Sequence, residues 1–210
     1  MKKGFSILIV TAISILYANN NMATNLKESK DSFTKASTLK QALPSGKKLS
    51  ISEATIKAIN DARSRVQICS KPVNPLAWNK ILYLRAKEHS IDMAVTGLLQ
   101  HNGSGGKTDK TAKNLGLNRG SYFYERVNQK ADSKSIHSGE LIIRSDTQSL
   151  KSPKELINYW VQRPQDCKVI MDSKFTDVAL SKVISNKDKK SYWTLLLAGR
   201  VEPKVKVKAK

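Results

Sequence analysis

Residues 74–106, NPLAWNKILYLRAKEHSIDMAVTGLLQHNGSGG, join an apolar-patterned segment to a glycine-rich loop. Pro75 lies near the expected start of a helix, and Gly97 weakens its end. His101 follows the helix, where its ring could point into a cleft. His89 is instead expected in the core, because it lies on the apolar face of the helix. At helical spacing that face also carries Leu82, Ala86 and Met93.

The same loop ends in Gly106, Lys107 and Thr108, as a phosphate-binding loop does. That motif requires a glycine at the position of His101, and it follows a strand, whereas a helix is expected here. The sequence therefore argues against a nucleotide site. We expect the glycines to let the chain leave the helix sharply.

Two further helices are predicted from their first residues. Ser50 with Glu53 and Ser152 with Glu155 have capping-box spacing, and Pro153 suits a first helical turn. The first helix places Arg63 and Arg65 outside its apolar stripe, so both are expected in solvent. The stripes expected to be buried are Ile51, Thr55, Ala58, Ala62 and Val66 in the first helix, and Leu156, Ile157, Trp160 and Val161 in the second.

Two strands are predicted near the end of the chain, in FTDVALSKVI (residues 175–184) and SYWTLLLAG (residues 191–199). The polar NKDKK between them predicts an antiparallel hairpin, and alternation places Val178, Leu180 and Ile184 on one face. Residues 101–139 are expected to be loop, with a short helix in SYFYERV. Helices around a late hairpin indicate an α+β fold.

The first 18 residues are typical of a secretory signal peptide: Lys2 and Lys3, an apolar run, then Ala18 before asparagines. The run is shorter than the roughly 20 apolar residues of a membrane span, although an uncleaved anchor stays an alternative. We expect a periplasmic or extracellular protein. Export makes Cys69 and Cys167 plausible disulfide partners, with two buried thiols as the alternative.

The chain carries 37 Lys and Arg against 17 Asp and Glu, a net charge of +20 that becomes +18 without residues 1–18. Such a charge attracts nucleic acid, anionic lipid and acidic wall polymers without choosing among them. Residues 19–49 are expected to form a flexible basic leader, and residues 200–210 a lysine-rich tail. One domain, residues 50–199, remains between them.

Five segments in a fixed order resemble a bacterial domain of the CAP superfamily, which includes cysteine-rich secretory proteins, venom antigens and pathogenesis-related proteins. They are AINDARSRVQIC, the stretch quoted first, SGELI, YWVQRPQDCKVIMDSKFTDVAL and YWTLLLAG. The resemblance covers about residues 51–199. It implies secretion, an α–β–α sandwich with a small antiparallel sheet between helical layers, and a Cys69–Cys167 disulfide.

The resemblance also implies a polar cleft, in which family members often hold a divalent metal on two histidines and two glutamates. His101 and Glu140 match the first of each, which makes them candidate zinc ligands. Arg163 stands in place of the second glutamate and Asp166 in place of the second histidine. The fixed charge of Arg163 would repel a cation unless Asp166 or Glu140 pairs with it.

The function implied is that of a secreted, non-enzymatic domain that needs no cofactor and binds a lipid, envelope or protein ligand. Its charge would concentrate it on an anionic envelope or host surface. One alternative is a protease-like hydrolase, with His101 as base and Glu140 as orienting group. Another is a polyanion or nucleic-acid binder, although specific nucleic-acid recognition is not expected from a chain with 6% aromatic residues.

Overall fold

The computed structural model describes residues 49–130 and 136–199. The predicted signal peptide, the lysine-rich tail and all of the predicted leader except Leu49 lie outside these residues. The helices are α1 (Ile51–Arg63), α2 (Lys80–Thr96), α3 (Lys110–Asn114), α4 (Phe123–Asn128), α5 (Pro153–Val161) and α6 (Pro164–Ile170). The strands are β1 (Ala77–Trp78), β2 (Ser138–Ser145), β3 (Asp177–Ile184) and β4 (Ser191–Ala198).

The sheet has the strand order β1-β3-β4-β2. The predicted hairpin is confirmed: β3 and β4 pair antiparallel, with Leu180 opposite Leu195. Strand β2 adds to the other side of β4, also antiparallel, and places Glu140 opposite Leu196. The two-residue β1 pairs parallel to β3, so the sheet is mixed.

Helices cover both faces of the sheet, which gives the α–β–α sandwich. Strand β4 is buried along its whole length, because alternate residues enter different cores. Trp193 and Leu195 pack in the core formed with α1, α5 and α6. Leu196 packs on the other side, against α2. This double burial explains why the sequence of β4 is almost continuously apolar.

The predicted helix starts are confirmed at Ser50 and Ser152, where both capping boxes form. The predicted apolar faces of α2 and α5 are buried, including His89. Helix α2 begins later than expected, with Asn79 as its N-cap, because the residues after Pro75 lead into β1. It ends at Gly97 in the left-handed conformation, φ 80°, which glycine adopts without strain.

Two expectations about exposure were wrong. Arg63 is fully buried, because its guanidinium donates hydrogen bonds to the carbonyls of Asn74, Ile170 and Asp172. Val66, expected on the buried stripe, lies beyond the end of α1 and is exposed. The sequence also did not predict β1, β2, α3 or α6.

The implied disulfide is present. Cys69 and Cys167 are bonded across 98 positions of sequence, with their Cα atoms 6.0 Å apart. The bond ties the segment after α1 to α6, and it removes the alternative of two free thiols. Within residues 49–130 and 136–199, no helix has the length and apolar character that crossing a membrane requires.

Candidate functional site

The structure brings His101 and Glu140 into direct contact. Glu140 is the third residue of β2, and its side chain is 0% exposed. Its Oε1 accepts a hydrogen bond from His101 Nδ1 over 2.9 Å. The imidazole itself remains 56% exposed, so it lies between the buried carboxylate and the surface.

Arg126, on α4, holds the other side of this carboxylate. Its Nη2 donates to Glu140 Oε2 and to the carbonyl of His101, both over 2.7 Å. Its Nη1 donates to the carbonyl of Ser121 over 2.9 Å. One buried guanidinium therefore fixes both the carboxylate and the backbone that carries His101.

Sequence reasoning missed Arg126, because residues 101–139 show no periodic pattern that separates buried positions from exposed ones. Arginine is also rarely buried without a partner. The buried partner here is Glu140, which is 14 positions away in sequence and on a different element. No signal in the sequence joins these two residues.

The electrostatics of Glu140 are decided by its neighbours. Burial alone would raise the pKa of its carboxyl. The charge of Arg126, the nearby His89 and the hydrogen bonds from His101 and Arg126 outweigh burial and lower that pKa to about 2. Glu140 is therefore ionised throughout the physiological range.

The two histidines near this carboxylate are shifted in opposite directions. The hydrogen bond with Glu140 raises the pKa of His101. Burial lowers the pKa of His89 to about 4, against the opposing charge of Glu140. The Nε2 of His89 donates to the carbonyl of Gln100 over 2.9 Å and lies 3.9 Å from Glu140 Oε1. His89 is a hydrogen-bonded core residue, as predicted, and its lowered pKa keeps it neutral near pH 7.

The glycine loop after His101 is held by carboxylates of the same chain. Asp92 accepts from the backbone N–H of Ser104 over 2.7 Å, and Asp109 accepts from that of Gly105 over 3.1 Å. These amides are therefore not aimed at a phosphate, which agrees with the rejection of a nucleotide site. Gly120 has a packing role, since a Cβ there would collide with the Gly103 carbonyl.

Arg163 and Asp166 form a separate pair where α5 meets α6. Arg163 Nε donates to Asp166 Oδ2 over 2.7 Å, and its Nη1 donates to the hydroxyl of Tyr159 over 2.9 Å. The charge of Asp166 also contributes to the raised pKa of His101. The four residues implied by the resemblance thus form two ion pairs, His101–Glu140 and Arg163–Asp166.

This donor set does not fit a divalent metal. Both oxygens of Glu140 accept hydrogen bonds, and the guanidinium of Arg126 opposes a second cation beside them. Within the part of the chain that the structure describes, no three His, Cys, Asp or Glu side chains are grouped to hold a metal ion. The guanidinium of Arg126 already occupies the position beside Glu140 that a metal ion would take.

A known family model matches most of the residues that form this fold. The model described as CAP, Cysteine-rich secretory protein family, matches residues 56–197. The chain belongs to the CAP family. In this CAP domain, the matched residues include His101, Arg126, Glu140 and both members of the Arg163–Asp166 pair.

Solved structures of CAP-like fold are similar to this chain. An outer surface protein from Borrelia burgdorferi aligns with a TM-score of 0.51 at 14% identity, covering 74% of this chain and 99% of that one. An extracellular protein containing an SCP domain from Bacillus anthracis aligns with a TM-score of 0.49 at 17% identity, covering 70% of this chain and 40% of that one. The first similarity shows the shared fold. No curated protein matches the CAP-domain chain.

Proposed function

We propose that this CAP domain is an exported, non-enzymatic binding domain whose ligand contacts the surface around His101. The ligand class is a lipid, an envelope component or a protein. The observation that carries the proposal is the Arg126–Glu140 ion pair behind the imidazole. A carboxylate that is buried, ionised and bonded through both oxygens holds the imidazole in one orientation, with its exposed edge available to a ligand.

The protease-like alternative uses His101 as the base and Glu140 to orient it. An ionised Glu140, with a pKa of about 2 and a hydrogen bond to Nδ1, is compatible with that orienting role. The alternative also requires a nucleophile, and the thiols of Cys69 and Cys167 are consumed by the disulfide. The loss of these thiols as nucleophiles favours binding over the protease-like alternative.

The imidazole has the properties of a contact residue. Its Nδ1 is engaged by Glu140, so Nε2 is the ring nitrogen that can meet a ligand at the exposed edge. The raised pKa of His101 increases its protonated fraction near neutral pH. A ligand with a hydrogen-bond acceptor or a negative charge matches that edge.

Export is supported by three independent features. The first 18 residues are typical of a signal peptide. A disulfide persists mainly in oxidising compartments, and Cys69–Cys167 is one. The Borrelia burgdorferi protein of similar fold is described as an outer surface protein. We propose a periplasmic or extracellular location.

Binding is tested with the purified protein on lipid arrays and on isolated envelope fragments. For at least one ligand retained by wild type, His101→Ala should lower the bound fraction at least about tenfold, since a well-placed charge-assisted hydrogen bond contributes about 1.5–3 kcal/mol. His137→Ala is the matched control, because His137 is also exposed and paired with a carboxylate, Asp172. Unchanged binding by His101→Ala on every retained ligand would refute the site.

The non-enzymatic part has its own test. Wild type and Glu140→Gln are incubated with unfolded protein substrates and with ester substrates, and product is measured over time. We expect no turnover by either protein. A turnover by wild type that disappears in Glu140→Gln would refute the proposal and favour the hydrolase alternative.

A further inference from the structure

The outward side of α2 carries an exposed apolar surface, which we call the α2 face: Leu84, Ile91 and Val95, together with Ile184 at the end of β3. Leu84 is 54% exposed, Val95 58% and Ile184 54%, and Ile91 is half-buried. The three α2 residues recur at helical spacing on the side opposite the buried face of the helix. Neither the core nor the His101–Glu140 pair uses these side chains.

Two hollows flank Ile91, which lines both. A hollow of about 520 Å³ lies between α2 and residues 107–110, with Leu84 on its wall. A hollow of about 320 Å³ lies between α2 and residues 183–187, lined by Val95 and Ile184. The α2 face is therefore an uneven apolar surface with room for chain-like apolar groups.

The exposed charges around the α2 face are positive. Lys87, Lys107 and Lys110 line the larger hollow, and Lys187 lines the smaller one. All four are exposed. The Nζ of Lys187 also lies 3.8 Å from the position that a Cβ would take on Gly97, at the end of α2.

The carboxylates of α2 are Glu88, which also lines the larger hollow, and Asp92, and both are buried and hydrogen-bonded within the chain. Glu88 is buried and accepts from the backbone N–H of Thr111. Asp92 is buried and accepts from Ser104 and Thr108. The charge that the α2 face presents to a partner is consequently cationic, although its helix contains acidic residues.

We propose that the α2 face docks this domain on the surface of an anionic lipid bilayer. A helix lying in the bilayer interface places aliphatic side chains among the acyl chains and lysines against the lipid phosphates. Leu84, Ile91 and Val95 have the first role, and the four lysines have the second. Charge complementarity selects an anionic bilayer over a neutral one. This docking is separate from ligand binding at His101.

Local insertion can be measured because the chain has two cysteines and both are in the disulfide. Leu84→Cys and Val95→Cys therefore each introduce a single reactive thiol, which is labelled with a polarity-sensitive fluorophore. Tyr159→Cys is the control, at an exposed position on α5, which packs on the opposite face of the sheet from α2. The full chain is mixed with vesicles of phosphatidylcholine, alone or with phosphatidylglycerol.

We expect the emission at positions 84 and 95 to shift to the blue with phosphatidylglycerol vesicles and not with phosphatidylcholine alone. The label at position 159 should not shift. Because the label reports its own surroundings, membrane contact by other segments of the chain does not imitate this result. Equal shifts at positions 84 and 159, or none at position 84, would overturn the proposal.

A charge-matched pair of variants separates docking from general attraction. K87E/K107E/K110E reverses three rim lysines, and K71E/K154E/K168E reverses three exposed lysines elsewhere. The first should weaken partitioning onto phosphatidylglycerol vesicles on the order of 100-fold, from three lost lysine contacts. The second should weaken it much less, and equal losses would overturn the proposal.

A last comparison distinguishes this surface from the His101 site. L84S/V95S should weaken vesicle binding without lowering the melting temperature, because both side chains are already exposed. His101→Ala should leave vesicle binding unchanged. Loss of vesicle binding in His101→Ala with none in L84S/V95S would overturn the docking of the α2 face while leaving the proposed function intact.

Discussion

Arg126 Nη2 donates a hydrogen bond to Glu140 Oε2 over 2.7 Å, with side chains that are 1% and 0% exposed. Taking two charges out of water is unfavourable unless their remaining polar atoms are also satisfied. Here Glu140 Oε1 accepts from His101 and Arg126 Nη1 donates to Ser121, while the buried Arg126 Nε has no hydrogen-bond partner among the described residues. The pair joins α4 to β2 and fixes the backbone that carries His101.

Arg126→Met should lower the free energy of unfolding by about 3–5 kcal/mol, because it leaves the carboxylate of Glu140 buried without its cation. Urea denaturation followed by circular dichroism measures the change. Lys57→Met is the control, since the Lys57–Asp61 pair is exposed and its loss should cost less than about 1 kcal/mol. Similar losses for both variants would contradict the assigned importance of the buried pair.

The titration of His101 should depend on Glu140. Its hydrogen bond to Glu140 raises the pKa of His101 above the ordinary 6.5, so Glu140→Gln should lower it. Imidazole chemical shifts across a pH series measure both values, with the exposed His137 as an internal reference. The same pKa for His101 in both proteins would contradict the contact.

The raised pKa also predicts the sign of a stability effect. A base that binds its proton more tightly in the folded state stabilises that state fully below the unfolded pKa, about 6.5. This contribution of His101 is lost as the pH rises through the raised folded pKa. The stability difference between wild type and His101→Ala should therefore be larger at pH 5 than at pH 9, as measured by urea denaturation.

The disulfide should contribute strongly to stability. Closing a segment of 98 positions corresponds to about 4–5 kcal/mol on the chain-entropy model. C69A/C167A should lose about this amount in urea denaturation, and reduction of wild type should produce the same loss. Reactive thiols in the unfolded, unreduced wild type would contradict the bond.

Zinc should not bind at the His101–Glu140 pair, because Arg126 already neutralises Glu140. Isothermal titration of wild type, His101→Ala and Glu140→Gln with zinc should give matching heats. His137→Ala controls for weak surface binding by the exposed histidine that pairs with Asp172. A saturable heat in wild type that both site variants lose would restore the metal site implied by the resemblance.

The sequence by itself determined the features that depend on neighbouring residues. Capping boxes act within one helical turn, so Ser50 and Ser152 marked their helices correctly. Helical periodicity placed Leu82 and His89 in the core, and the turn between β3 and β4 predicted their pairing. The disulfide was predicted from the resemblance, and the motifs of that resemblance lie in the region that the family model matches.

Tertiary structure alone decided which polar residues are buried. Strand β2 escaped prediction because Glu140 occupies a buried position and interrupts the alternation that marks a strand. Its charge is tolerated there only because Arg126 arrives from α4. Arg63 is likewise buried because carbonyls more than 100 positions away accept its hydrogen bonds. The free energy of a buried charge depends on partners that folding brings together, and no local pattern encodes them.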